Sequence, residues 1–130
     1  MIAVDTNVVV RFLTADDAEQ AARAEAVLRG GAVLLLKTVL LETEWVLRAG
    51  YQLEGRAIAR GLRALLGLPG VTAEDAPAVA RALDWYEAGL DFADALHLAS
   101  STGARGFATF DQALIRRARR RGIAPTAFAP

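Results

Sequence analysis

Gly30-Gly31-Ala32-Val33-Leu34-Leu35-Leu36-Lys37-Thr38 sets an unbroken apolar run between a glycine pair and a polar step. A strand exposed on one face alternates apolar and polar residues, whereas a strand covered on both faces reads as a continuous run like this one. Residues 32–36 are therefore expected to form a buried parallel strand. Upstream, Ile2-Ala3-Val4 reads as a first strand, short and buried, and Thr6 to Leu13 as a helix starting on Asp5 or Thr6. Thr14-Ala15-Asp16-Asp17 resembles a helix-start box, opening a helix that runs to about Leu28 and closes at Gly30-Gly31. Downstream, Thr38 is expected to cap a helix ending near Gly50. An amphipathic helix follows from Glu54 to Leu66 and stops at Gly67-Leu68-Pro69-Gly70. Val71-Thr72 suits a short strand, 75–88 a helix, 91–102 a helix, 106–109 a strand, 112–121 a basic helix and 126–128 a last strand. Strands alternating with helices in this way specify an α/β fold with a parallel sheet covered on both faces.

The chain has 130 residues, 54 % of them hydrophobic, which suits one domain with a substantial core and excludes wholesale disorder. No apolar stretch approaches the roughly 20 residues that span a bilayer, so no membrane partner is expected. Asp5 follows the first apolar residues directly, with no basic or long apolar segment of a secretory signal. Cysteine is absent, which excludes a disulfide framework and a thiolate zinc site and fits a cytoplasmic location. Fifteen basic and fifteen acidic side chains cancel, so the distribution of charge, not its sum, must speak for or against nucleic acid. Lys37 is the only lysine, which leaves lysine-dependent catalysis little to work with.

Asp5, Glu42, Asp94 and Asp111 each fall where a strand hands over to a helix, or on the helix that follows. In an open parallel sheet the carboxyl ends of the strands share one crevice. Converging carboxylates repel unless a cation neutralises them, and oxygen-only clusters suit Mg2+ or Mn2+. Asp5 also suits a helix N-cap, a role compatible with metal ligation. On a helical wheel Glu42 is flanked by Val39, Trp45 and Val46 within about 60°, a costly setting for an unpaired carboxylate. Glu44 lies on the other side and meets Arg48 four residues on, as a surface pair would. Asp91 is placed to cap its helix, with Asp94 at the position of a capping-box acid. Thr109 and Gln112 form a hydroxyl-x-x-Gln box, so Asp111 is not needed as a cap. His97, the only histidine, suits a structural role more readily than a catalytic one, and Asn7 either closes a turn or bonds to the site. Arg116, Arg117, Arg119, Arg120 and Arg121 form the one dense basic cluster. Such a run reads as a solvated face compensating the helix dipole, or as a track for a phosphate backbone.

Val4-Asp5-Thr6-Asn7, Leu41-Glu42 with Trp45-Val46-Leu47, Asp91-Phe92-Ala93-Asp94-Ala95-Leu96-His97 and Ala108-Thr109-Phe110-Asp111 together resemble the PIN-domain ribonucleases. Within that family they look like a VapC-type toxin of a type II toxin–antitoxin system. The resemblance implies a three-layer α/β/α sandwich around a parallel sheet of four or five strands, with residues 1–130 as one domain. It implies that Asp5, Glu42, Asp94 and Asp111 hold Mg2+ or Mn2+, Asp5 and Asp94 as principal ligands and Glu42 and Asp111 directly or through water. Asn7, Asp91 and Thr109 would support them, and Arg116, Arg117, Arg119 and Arg120 would contact RNA. It further implies an RNA substrate, a homodimer and a VapB-like antitoxin.

A receiver-like phosphotransfer domain also gathers acids around Mg2+, but it needs a paired acid early and a late lysine, and this chain has neither. A non-catalytic interaction module would leave the four acids unexplained. An RNA-processing PIN protein without an antitoxin stays within the nuclease class; a short chain without a further domain favours the toxin.

Overall fold

The computed structural model describes all residues, Met1–Pro130. The chain divides into two compact units, Met1–Ala76 and Pro77–Pro130. In the first, three parallel strands, β1 (Ile2–Ala3), β2 (Val33–Leu35) and β3 (Val71–Ala73), form a ladder in that order. Ile2 pairs with Val33, and Val33 with Val71. Helices α1 (Thr6–Thr14) and α2 (Ala18–Arg29) connect β1 to β2; α3 (Lys37–Trp45), a π-helical turn (Val46–Gly50) and α4 (Gly55–Leu66) connect β2 to β3. The second unit holds α5 (Ala76–Glu87), α6 (Phe92–Ala99), β4 (Phe107–Ala108), α7 (Gln112–Arg120) and β5 (Ala127–Phe128). β4 and β5 pair in parallel, Phe107 with Ala127. The α/β class and the five parallel strands agree with the sequence reading; hydrogen bonding groups them as three and two.

The apolar run read as the deciding strand is buried at Val33 and Leu35. β3 approaches it so closely that a Cβ on Gly70 would lie 2.5 Å from the Gly31 carbonyl oxygen. Gly70 also has φ +82°, which a glycine adopts without steric cost. In this unit α1 packs on α2 and α3, and α4 on β3 and the π turn. Leu28, Leu35, Leu40, Leu47, Ile58, Leu62 and Leu65 are almost wholly buried there. In the second unit α7 packs on β5 through its Leu114, Ile115 and Ala118 face, and Phe92 meets Tyr86 edge to face at 5.1 Å.

Four local expectations need correction. The Thr14 box does not open α2: Asp17 caps it, accepting from the Gln20 N–H at 3.0 Å, while the single Thr14 hydroxyl proton is shared between the Val10 carbonyl at 2.8 Å and Asp16 Oδ1 at 2.9 Å. Both hydroxyl and carboxylate were available, and the hydroxyl is engaged by other acceptors. Thr38 does not cap α3, whose N-cap is Leu36 with no side-chain bond. The Lys37 N–H is satisfied instead by Glu74 Oε1 at 2.8 Å, from the far side of the β3 ladder. Asp111, and not Thr109, caps α7. Its Oδ1 accepts from the Leu114 N–H at 3.0 Å, and Thr109 Oγ1 accepts from the Asp111 N–H at 3.1 Å. Finally, β1 is not buried along its length: Val4 is, but Ile2 is 58 % exposed. A two-residue strand at the edge of its ladder covers little.

Candidate functional site

In the first unit Asp5 is delivered by the turn from β1 into α1. It caps that helix, with Oδ1 accepting from the Thr6 N–H at 2.8 Å. Its second oxygen accepts no hydrogen bond within the protein. Glu42, on α3, lines the same cavity of about 350 Å³, together with Thr6, Asn7, Arg11 and Tyr51. Asp5 and Glu42 are both exposed and neither has an ion-pair partner. Asn7 stands one residue into α1 on the rim of this cavity. Thr6 is the residue the sequence reading passed over. It is buried, yet its Oγ1 has no hydrogen-bond partner. A buried hydroxyl left unbonded is costly, and here it sits beside two carboxylates. The signal was present in Asp5-Thr6-Asn7, but a hydroxyl at the first turn of a helix ordinarily has a backbone partner, so nothing marked it out.

The wheel argument for Glu42 does not survive. α3 buries Val39, Leu40, Thr43 and Glu44, and the side carrying Glu42 opens to solvent, with Trp45 59 % exposed. Glu44, read as a surface residue, is the buried acid at 2 % exposure. It receives Arg48 Nε at 2.9 Å. The buried side of α3 is set by its packing against α1, not by where its largest apolar residues cluster. Glu42 keeps its candidacy because it shares the cavity with Asp5.

In the second unit Asp91 caps α6 as expected, its Oδ2 accepting from the Asp94 N–H at 3.1 Å. Asp94 does not complete a capping box; its carboxylate forms no hydrogen bond. Partial burial, first, and then the negative charges of Asp91 and Asp111 push its pKa above the usual carboxylate range, while His97 pulls the other way. Asp91 and Asp111 are thus each within electrostatic reach of Asp94, as is His97, which is exposed. Asp111 is presented by the β4–α7 turn, with Thr109 steadying its backbone.

No group of three or more His, Asp or Glu side chains stands together as a ready-made cage for a metal ion. In the first unit the free Asp5 oxygen, Glu42 and the unbonded Thr6 hydroxyl are oxygen donors of the kind a hard divalent cation takes. In the second, burial and then the like charges of Asp91 and Asp111 raise the pKa of Asp94, a cost that a cation would relieve. Of the basic cluster, Arg116, Arg117 and Arg120 are solvated on α7 and Arg121 just beyond it, whereas Arg119 donates to the Ala127 carbonyl at 3.2 Å and ties α7 to β5. No helix is long and apolar enough to cross a membrane.

The PIN domain family model matches residues 2–120, which takes in every acid described above. No curated protein and no solved structure matches the chain. PIN domains are generally nucleases and generally use divalent metals.

Proposed function

We propose that this chain, which belongs to the PIN domain family, is a Mg2+- or Mn2+-dependent endoribonuclease. In this reading it is the toxin of a VapBC-type pair, cutting RNA in the cytoplasm to halt translation. The observation that carries it is the set of carboxylates left without a cation: Asp5 and Glu42 in one cavity of the first unit, and Asp94 among like charges in the second. Asp5 and Asp94 are assigned as principal ligands, with Glu42 and Asp111 completing the set directly or through water. When bound, a divalent ion supplies an acidified water and a counter-charge for the phosphodiester.

The protein's own share is positioning. Asp5 is oriented by the bond from the Thr6 N–H, which engages one oxygen and leaves the other free. Asp111 is held in the same manner at the head of α7. Asp91 and Thr109 each fix the start of an acidic segment, and Glu42 is assigned to orient the attacking water. The Thr6 hydroxyl and Asn7 are further partners for a water or phosphate oxygen in that cavity. Arg116, Arg117 and Arg120 are assigned to the RNA backbone; Arg119 contributes charge from a position fixed by its bond to Ala127. A homodimer acting as one PIN domain per chain, inhibited by a VapB-like antitoxin, completes the proposal.

Purified protein free of antitoxin, incubated with total RNA and Mg2+ or Mn2+, is expected to give discrete cuts that vanish with EDTA and in Asp94→Asn. Cuts that persist in that variant would remove Asp94 from the site. Cleavage without growth arrest on expression would keep the nuclease and replace the toxin with an RNA-processing role.

A further inference from the structure

One side chain of the acidic cavity carries the opposite charge, and its surroundings hold it there. Arg11 donates from Nε to Gln20 Oε1 at 2.7 Å, and from Nη1 to Asp16 Oδ1 at 3.2 Å and to the Tyr51 hydroxyl at 3.2 Å. Tyr51 in turn donates to Asp16 Oδ2 at 2.6 Å, and Thr14 to Asp16 Oδ1 at 2.9 Å. Three elements, α1, α2 and the end of the π turn, thus fix one guanidinium. All these bonds use Nε and Nη1; Nη2 keeps both its protons unspent. A guanidinium so immobilised loses little further entropy when it binds an oxyanion, and its two remaining Nη2 protons can donate to phosphate oxygens.

Arg11 and Asn7 also line a second cavity of about 460 Å³, between α1 and α2, where Gln20 and Arg23 face them. Asn7 and Arg11 are one turn apart on α1, about 6 Å along the axis, and Gln20 and Arg23 are likewise neighbours on α2. Arg23 is exposed and has no hydrogen-bond or ion-pair partner. No acid lines this groove. A groove that pairs two arginines and two amides with apolar Val8, Ala24 and Val27, carries no acid, and shares Asn7 and Arg11 with the acidic cavity has the charge pattern of a path for a polyanion whose reacting phosphate sits at the acids.

We propose that the α1–α2 groove carries the RNA strand flanking the scissile phosphate, with Arg11 and Arg23 each binding one backbone phosphate. This assignment rests on the ribonuclease reading above. Arg11 and Arg23 are positioning residues, because they hold the substrate and do no bond-making. The Asp16–Tyr51–Gln20 network holds Arg11 by Nε and Nη1 where it lines both the acidic cavity and the groove.

The test is steady-state cleavage of a short single-stranded RNA with Mg2+ over a series of salt concentrations, using wild type, Arg11→Ala, Arg23→Ala and, as control, Arg56→Ala, an exposed change on α4. Arg11→Ala and Arg23→Ala are expected to raise KM severalfold with kcat nearly unchanged. Each should lower the slope of log(kcat/KM) against log salt by about 0.7, the value for one phosphate contact to a single strand. Arg56→Ala should keep the wild-type slope. A wild-type slope and KM in Arg23→Ala overturn the path, and Arg23→Ala decides alone if Arg11→Ala does not fold. An Arg11→Ala variant that folds less stably yet keeps its slope makes the network a structural tie only and overturns the role of Arg11. Wild type inert towards RNA with both Mg2+ and Mn2+ removes the ribonuclease reading and the path with it, an outcome distinct from an active enzyme with unchanged slopes.

Discussion

Asp111 caps a helix in the structure and is proposed for the cleavage site as well, two jobs that a substitution would separate. As N-cap of α7 it bonds the Leu114 N–H, and asparagine caps a helix about as well as aspartate. Asp111→Asn is therefore expected to keep the melting temperature while losing cleavage, and Asp111→Ala to lose about 1 kcal/mol of stability as well. Equal activity of wild type and Asp111→Asn would leave the residue a cap alone. Asp16 offers a test by pH. The Tyr51 and Thr14 hydroxyls, followed by the Arg11 charge, hold its pKa below the ordinary carboxylate value. A depressed native pKa stabilises the fold above the unfolded carboxylate value of about 3.9 and stops doing so as pH falls through the lower, native value. Asp16→Asn should thus be less stable than wild type at neutral pH, with the gap closing on acidification below about pH 4, as followed by thermal melts across pH. A gap that stays constant would show that Asp16 acts through shape and not charge.

At the scale of the element, α3 and the π turn that extends it give the clearest contrast between two glutamates two residues apart. Glu44 is buried and holds Arg48; Glu42 is exposed in the acidic cavity. Glu44→Ala should cost about 2 kcal/mol in urea denaturation, below the roughly 3–5 of a fully buried pair because Arg48 is half exposed. Glu42→Ala should leave stability unchanged and abolish cleavage. The opposite ranking would return the buried-acid argument to Glu42. These two residues also show where reading by pattern fails. Alternation of apolar and polar positions locates a helix and its length, and α3 and α4 begin within a residue or two of where they were expected. The inward direction of α3 depends on which neighbours it packs against: Val39 does turn inward, but Trp45 is exposed and Val46 only half-buried, so the apolar arc drawn around Glu42 is not the buried face. Caps failed for a related reason. Thr14 and Asp17, like Thr109 and Asp111, offered competing acceptors to one helix start, and only the placed backbone selects between them.

For the whole molecule the proposed pairing with a second copy gives a plain expectation: a particle of about twice 13.8 kDa in light scattering. A monomer that still cleaves RNA would show that each chain carries a complete site. What the sequence by itself determined is the alternation of strand and helix and the parallel pairing. Continuous apolar runs, glycine stops and carboxylates at strand ends are local signals that need no knowledge of neighbours. Tertiary structure alone decided that Glu44 and not Glu42 is buried, that the Thr6 hydroxyl lies unbonded beside Asp5, and that Arg11 is clamped by Asp16, Gln20 and Tyr51. The Arg11–Tyr51 contact joins side chains 40 residues apart in sequence. The Glu44–Arg48 pair is legible at four residues' spacing, but which side of a helix is buried is a property of the packed chain, set by neighbours that no short window contains.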